Sequence, residues 1–401
     1  MDHFPTPFDT LPPAVAGIDG TAPPTADLVR GAYSGTLLPD QLVSALRHGD
    51  RLFATRLVRK GHQVRPLAVR PRSLADLRFT SGGRPVDIYD YISRNRVAGL
   101  LVLHDGQVAL ETYQLGNDAG TRWLSMSMAK SISTTLVGAA IQDGLITSVD
   151  DNVARYVTEL RGSAYDGVPI REVLRMTSGI GWDEAYGDLA SDRRRMLEAQ
   201  IAQQPGVTLD HLAACPGIAP PGHLFNYSTG ETHVVGALVR AATGRFLADY
   251  LAEKIWFPCG MEQEARWWLE APEGLEVAGS GLHACLRDFA RFGQFMLEDG
   301  VVNGRRVLPE GWVRDATAPG AMADGSRLDY GYMWWPQPGT DGGFDNGAYR
   351  AGGIFGQYVY VNPARRVVIA VNSARSKPKG AEAIPDIDFF NAVSAAFAVE
   401  A

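Results

Sequence analysis

Apolar residues change their spacing along this chain, and each change marks an element. Residues 97–116 (VAGLLVLHDGQVALETYQLG) hold two apolar runs split by Asp105-Gly106. That dipeptide between apolar runs signals a tight turn joining two strands. From Leu124 to Asp143 the period lengthens, with Met128, Ile132, Leu136, Val137 and Ile141 recurring at helical spacing. The spacing predicts a helix, and Gly144 stands where a C-terminal cap is expected. Residues 145–275 read mostly as helix and loop, with VDDNVARYVTEL, IREVLRM, HVVGALVRAATG and ADYLAEKIWFP as the helical candidates. LRDFARFGQFMLEDG reads as an amphipathic helix. YGYMWWPQ, GQYVYVNP and RRVVIAVNS read as strands, the last two joined by Asn362-Pro363-Ala364-Arg365, and FFNAVSAAFAV as a closing helix.

This order predicts one antiparallel sheet built from both ends of the chain, flanked by helices and interrupted by a helical domain. The fold class is α/β in the broad sense, or α+β. The α/β part spans 31–143 and 276–401, and the mostly helical insertion 144–275. Residues 1–30 carry six prolines and few periodic apolar positions, which predicts an extended N-terminal arm. A cleft between two such units is a usual place for an active site.

Composition narrows the function classes. Of 401 residues, 45% are hydrophobic and 21% charged, enough to bury a large core without a disulfide or metal staple. The net charge of -7 and the absence of a long basic run argue against nucleic-acid binding. The longest basic run, Arg193 to Arg195, reads as a solvated face. The three cysteines, Cys215, Cys259 and Cys285, are widely spaced and read as buried free thiols. This fits a reducing compartment, so a cytoplasmic protein is expected. The N-terminus shows no secretory pattern, and no apolar run is long enough to span a membrane.

The chemistry starts at Ser125-Met126-Ser127-Met128-Ala129-Lys130-Ser131, which contains an S-x-x-K. A serine hydroxyl is a weak nucleophile until a base takes its proton. Three residues apart on a helix, Ser127 and Lys130 share a face, so the amine can reach the hydroxyl. At a helix start, the serine N–H is free to help hold an oxyanion. A lysine acting as base near neutral pH must be partly desolvated. The motif by itself is as compatible with a capping serine and a solvent lysine. A second match, Ser376-Lys377-Pro378-Lys379, contains a proline and lies outside any amphipathic helix; it is set aside. No G-x-S-x-G elbow, H-E-x-x-H, P-loop or dinucleotide fingerprint is present. No cofactor and no metal are expected.

SMSMAKSISTTLVGAAIQDG resembles the nucleophile helix of the serine β-lactamase and penicillin-binding superfamily. Within it the chain is most similar to 6-aminohexanoate-dimer (nylon-oligomer) hydrolases and β-lactamase-like, family VIII, carboxylesterases. The similarity runs from about residue 95 to 390. It is carried also by ITSVDDNVARYVTEL, YDGVPIREVLRMTSGIGWDEAYGD, FNYSTGETHVVGALVRAATG, GLHACLRDFARFGQFMLEDG and GGIFGQYVYVNP. The resemblance implies a β-lactamase/transpeptidase-like fold, and it implies that Tyr227 shares proton transfer with Lys130. Thr229 stands where the related Y-x-N motif has Asn. Tyr186 matches a tyrosine that contacts the substrate amide in the nylon-oligomer hydrolases. The K-T-G or H-G-Q strand of the superfamily reads Gly353-Ile354-Phe355-Gly356-Gln357 here. That strand has no cation for a substrate carboxylate, which favours a neutral substrate, while the backbone near Ile354 can still supply an oxyanion N–H. His283, in a segment bordering the cleft in this superfamily, is either a substrate contact or a satisfied wall histidine. Gly279 falls where a polar contact to a substrate end would be sought.

The expected function is a serine hydrolase acting on a small ester or linear amide through an acyl-enzyme on Ser127. The alternatives are a 6-aminohexanoate-oligomer amidase, a β-lactamase or D-alanyl carboxypeptidase, and a non-catalytic ligand-binding domain on the same fold. The expected partner is a small-molecule substrate, with no nucleic acid and no membrane; a homodimer stays open.

Overall fold

The two ends of the chain meet in one sheet, as the strand pattern predicts. The structure, a computed structural model, describes residues 26–71 and 74–397. The sheet holds β1 (Val97–His104), β2 (Gln107–Tyr113), β3 (Trp335–Pro336), β4 (Tyr349–Gly353), β5 (Gln357–Asn362) and β6 (Val367–Ser373). Their spatial order is β3-β4-β5-β6-β1-β2, every pair antiparallel. The β1–β2 turn is the expected one: Asp105 and Gly106 both have positive φ, 50° and 73°.

β1 reads as an unbroken apolar run because both faces of the sheet are covered. Leu101 and Leu103 face a cluster with Phe289, Phe292 and Met296, on the helix Leu286–Leu297. Leu100 and Val102 face another with Tyr91, Phe389 and Phe390, the last two on the closing helix Asp386–Ala396. Side chains two apart share a face, so an internal strand needs apolar residues at every position. Each fully buried side chain of this size contributes about 1.5–3 kcal/mol.

Two helices position the site. Helix α1 (Met128–Gln142) packs against α2 (Thr229–Thr243) and against β4. A second, four-stranded sheet lies beside them; in it Arg122–Leu124 pairs with Leu282–Cys285. This pairing corrects the start of the predicted helix, because residues 122–124 are strand. Met126 then takes a left-handed backbone, φ 47°, and the helix begins only after Ser127.

Other expectations also change. Residues 1–25 of the expected arm lie outside the described residues, and Ala26–Ser34 is a helix rather than extended chain. VDDNVARYVTEL forms two single 3-10 turns, Val153–Arg155 and Thr158–Leu160. ADYLAEKIWFP starts as α-helix and continues as a π-turn, Ala252–Trp256. YGYMWWPQ contributes only Trp335–Pro336, an edge position that suits a residue with no N–H to donate. Arg193 and Arg194 are buried rather than solvated: Arg193 lies over the Tyr33 ring and Arg194 pairs with Glu198. All three cysteines are free and buried. Among the described residues, no helix is long and apolar enough to cross a membrane.

Candidate active site

Ser127 is the residue before the first turn of α1, where backbone N–H groups have no helical acceptor. The strained turn at Met126 aims it outward, and the end of β4 closes against that turn. A Cβ on Gly353 would lie 2.4 Å from the Ser125 carbonyl oxygen and 3.1 Å from the Ser127 nitrogen. Only glycine admits so close an approach, and it brings the Gly353–Ile354 backbone beside Ser127.

Lys130 lies beneath Ser127, on the same face of α1 and 1% exposed. Its Nζ is 3.0 Å from Ser127 Oγ, 3.0 Å from Thr229 Oγ1 and 2.9 Å from the Gly279 carbonyl. Burial pushes its pKa from 10.5 down to about 7, with Arg193 and Lys379 acting in the same direction and Glu184 against it. A neutral amine has two N–H donors and one lone pair. With Thr229 and Gly279 taking the donors, the lone pair is left for the Ser127 hydroxyl proton. Gly279 therefore supplies a carbonyl to Lys130, and a Cβ there would come within 3.2 Å of Nζ.

Glu184 completes this arrangement and was not singled out by the sequence. Thr229 Oγ1 donates to its Oε1 at 2.5 Å, while Thr229 N–H and Trp182 Nε1 donate to Oε2 at 2.8 and 2.6 Å. The Thr229 hydroxyl thus donates to Glu184 and is left to accept from Lys130. A W-x-E pattern upstream of Tyr186 was visible, but no local period ties it to a threonine 45 residues later.

Tyr227 stands across the cleft, its ring centre 5.3 Å from Lys130 Nζ. Burial, with Glu184 adding to it, pushes the phenol well above its ordinary pKa; contact with Ser127 tempers the rise. Tyr227 stays protonated and can donate a proton to a leaving group.

Ser127, Tyr186, Tyr227 and Ile354 line one cleft of about 310 Å³, with Trp335 along a wall. The size suits a small substrate. Tyr186 Oη donates to Glu184 at 3.3 Å. His283 is elsewhere. It lies in the four-stranded sheet, fully buried, its Nδ1 donating to the Gly281 carbonyl at 3.0 Å. Gly49 leaves the space its ring fills, since a Cβ there would meet Nε2 at 2.3 Å. His283 does not line the cleft, which corrects the substrate-contact expectation; it is a buried wall histidine bonded at Nδ1, with Nε2 left without a hydrogen-bond partner.

The cations also differ from expectation. The β4 strand carries none at its motif position, but the set-aside stretch Ser376–Lys379 folds back onto the cleft rim, where Lys377 and Lys379 join Arg350. The long connection from β6 to the closing helix brings them there, which no short motif encodes.

One group could offer three metal ligands: Asp192, His211 and Cys215 gather within 4.8 Å of one another. The His211 Nε2 is already engaged by Asp192 at 2.8 Å, and the cluster reads as a side-chain hydrogen bond.

Comparison with known proteins agrees with this architecture. Residues 91–390 match the beta-lactamase family. The 6-aminohexanoate-dimer hydrolase of Paenarthrobacter ureafaciens is 31% identical over 306 residues, 73% of this chain and 76% of that protein. A Bacillus anthracis structure whose name proposes a 6-aminohexanoate-dimer hydrolase superposes with a TM-score of 0.78 at 22% identity, over 94% of this chain and 98% of its own. A family VIII carboxylesterase superposes with a TM-score of 0.56 at 18% identity, over 75% and 92%. With its fold and about three quarters of its length matching, the chain belongs to the beta-lactamase family and is a hydrolase of that fold.

Proposed function

We propose that the chain is a serine hydrolase that cleaves a small ester or linear amide through an acyl-enzyme on Ser127. The observation that carries this is the set of acceptors around Lys130. Thr229 and Gly279 occupy two N–H groups, leaving the lone pair for Ser127, and burial brings the pKa to about 7.

The steps follow from the geometry. Neutral Lys130 takes the Ser127 proton as Oγ attacks the carbonyl carbon. The N–H groups of Ser127 and Ile354 face the developing oxyanion. Tyr227, held protonated, gives a proton to the departing alcohol or amine and is reprotonated from Lys130. Water then attacks the acyl-enzyme by the reverse proton path, and Ser127 is released.

The test is intact-protein mass after incubation with a reactive phosphonate ester. One adduct on wild type and none on Ser127→Ala is expected. Adducts on both, or on neither, overturn the reading and favour a binding domain.

A second reading is an amidase for linear ω-amino-acid amides, supported by the 31% relative named for the 6-aminohexanoate dimer. Rates on that dimer and on a short nitrophenyl ester separate the two. A β-lactamase or carboxypeptidase reading has less support, since the β4 motif position holds Gly353-Ile354-Phe355. A chromogenic cephalosporin checks it.

A further inference from the structure

We propose that the rim of this cleft is an anion subsite, where Lys379 and Arg350 hold a carboxylate carried by the substrate a few bonds from its scissile carbonyl. The proposal rests on Ser127 being the nucleophile of the same cleft.

The loop that carries Lys379 is pinned at several points. Arg375 binds Asp386 through both terminal nitrogens, at 3.0 and 2.5 Å. Phe355 N–H donates to the Pro378 carbonyl at 3.1 Å. Lys377 Nζ donates to the Gly35 carbonyl at 2.8 Å. These bonds set the backbone on either side of Lys379. Its ammonium then lies 5.2 Å from the centre of the Tyr186 ring and 5.7 Å from that of Tyr227. Both rings line the cleft beside Ser127. An ammonium near two aromatic rings is held without being neutralised.

Arg350 reaches the same cleft from β4. Its guanidinium sits 4.9 Å from the centre of the Tyr358 ring. Its Nε is buried and has no hydrogen-bond partner. A buried guanidinium N–H left without an acceptor is costly, and a carboxylate is the acceptor that fits its fork.

Two other charges on this rim are already matched: Arg375 is engaged by Asp386, and Glu382, the one acid lining the cleft among the described residues, lies 3.9 Å from Arg375. Among the described residues Lys379 and Arg350 form no salt bridge. Three cations with no ion-pair partner among the described residues thus line one cleft, Lys377 tied to a carbonyl and Lys379 and Arg350 not, in a chain of net charge -7, so the local field opposes the global one and favours an anion there. A bound anion would also offset the effect of Lys379 on Lys130, coupling substrate charge to the base. The substrate class is thus an ester or amide with a free carboxylate, such as a half-ester of a dicarboxylic acid or an amide of an amino acid.

Paired fluorophosphonates test this in one experiment. Each forms a Ser127 Oγ–P bond and expels fluoride. The members of one pair differ only in whether the alkyl chain on phosphorus ends in methyl or carboxylate. A second pair places the same difference on the alkoxy chain. Labelling rates are read by mass, at a pH well above the Lys130 titration, on wild type, Lys379→Met, Lys379→Glu and Arg350→Gln. The wild type is expected to prefer the carboxylate member of at least one pair by about tenfold. That ratio should fall toward one in Lys379→Met and Arg350→Gln, fall below one in Lys379→Glu, and shrink with added salt. Labelling with ratios near one in wild type, or ratios the variants leave unchanged, overturns the subsite and keeps the nucleophile. No labelling of Ser127 by any probe overturns both.

Discussion

Lys130 and His283 are two buried bases in one molecule, and burial lowers both. Lys130 comes down to about 7 and His283 to about 4. Their surroundings differ. Lys130 touches Ser127, which lines the cleft, and its two N–H groups are taken by Thr229 and Gly279. His283 packs against Trp268 and the bare backbone of Gly49, fully buried and not among the residues that line the cleft. A perturbed pKa marks a functional group only where the group meets a nucleophile or substrate space. At His283 the same physics records the cost of burying an imidazole.

The largest expected effect breaks the comparison most directly. Lys130→Met should lower kcat/KM on a nitrophenyl ester by on the order of 10²–10⁴, while circular dichroism shows the fold retained. Near-wild-type turnover would remove the functional meaning of its lowered pKa.

A smaller effect sharpens the comparison. Glu184 raises the Lys130 pKa, so Glu184→Gln should lower it further. Lys130 acts as base only when neutral. The rising limb of kcat/KM against pH, near 7 in wild type, should therefore move to lower pH by roughly one unit. A uniform loss of rate with an unmoved limb would mean that Glu184 only braces the Thr229 loop.

The smallest effect on activity belongs to His283. His283→Leu should leave kcat/KM within about twofold, because the ring lies away from the cleft, and should lower stability by about 1–2 kcal/mol. The folded pKa lies below the ordinary 6.5, so the unfolded chain binds the extra proton first. Wild type should thus lose stability as pH falls from 6.5 toward 4. In the leucine variant that share of the acid loss should vanish from denaturant midpoints measured across the window.

Much of this was legible in the chain itself. The Asp105-Gly106 turn, the amphipathic helix at Leu286 and the strands at either end follow from period and turn chemistry, which are local. Ser127 and Lys130 were legible for the same reason, since three residues of helix set their separation. Tyr227 could be placed only by resemblance, and the burial that keeps its phenol protonated arises only in the folded chain.

What only the tertiary structure decided lies where distant segments meet. Glu184 reaches Lys130 through Thr229, and Gly279 supplies the second acceptor from another loop. Lys379, in a stretch set aside on sequence grounds, comes to the rim because the loop around it is tied to Asp386, Gly35 and Phe355. Arg193 goes inside because Tyr33 offers it a ring face. The sequence by itself determined the repeating elements and the closeness of Ser127 and Lys130, because those rest on spacings within one helix or hairpin. Burial, charge compensation and access depend on contacts between residues far apart in the chain, and these set one buried base beside Ser127 at the cleft and walled in the other.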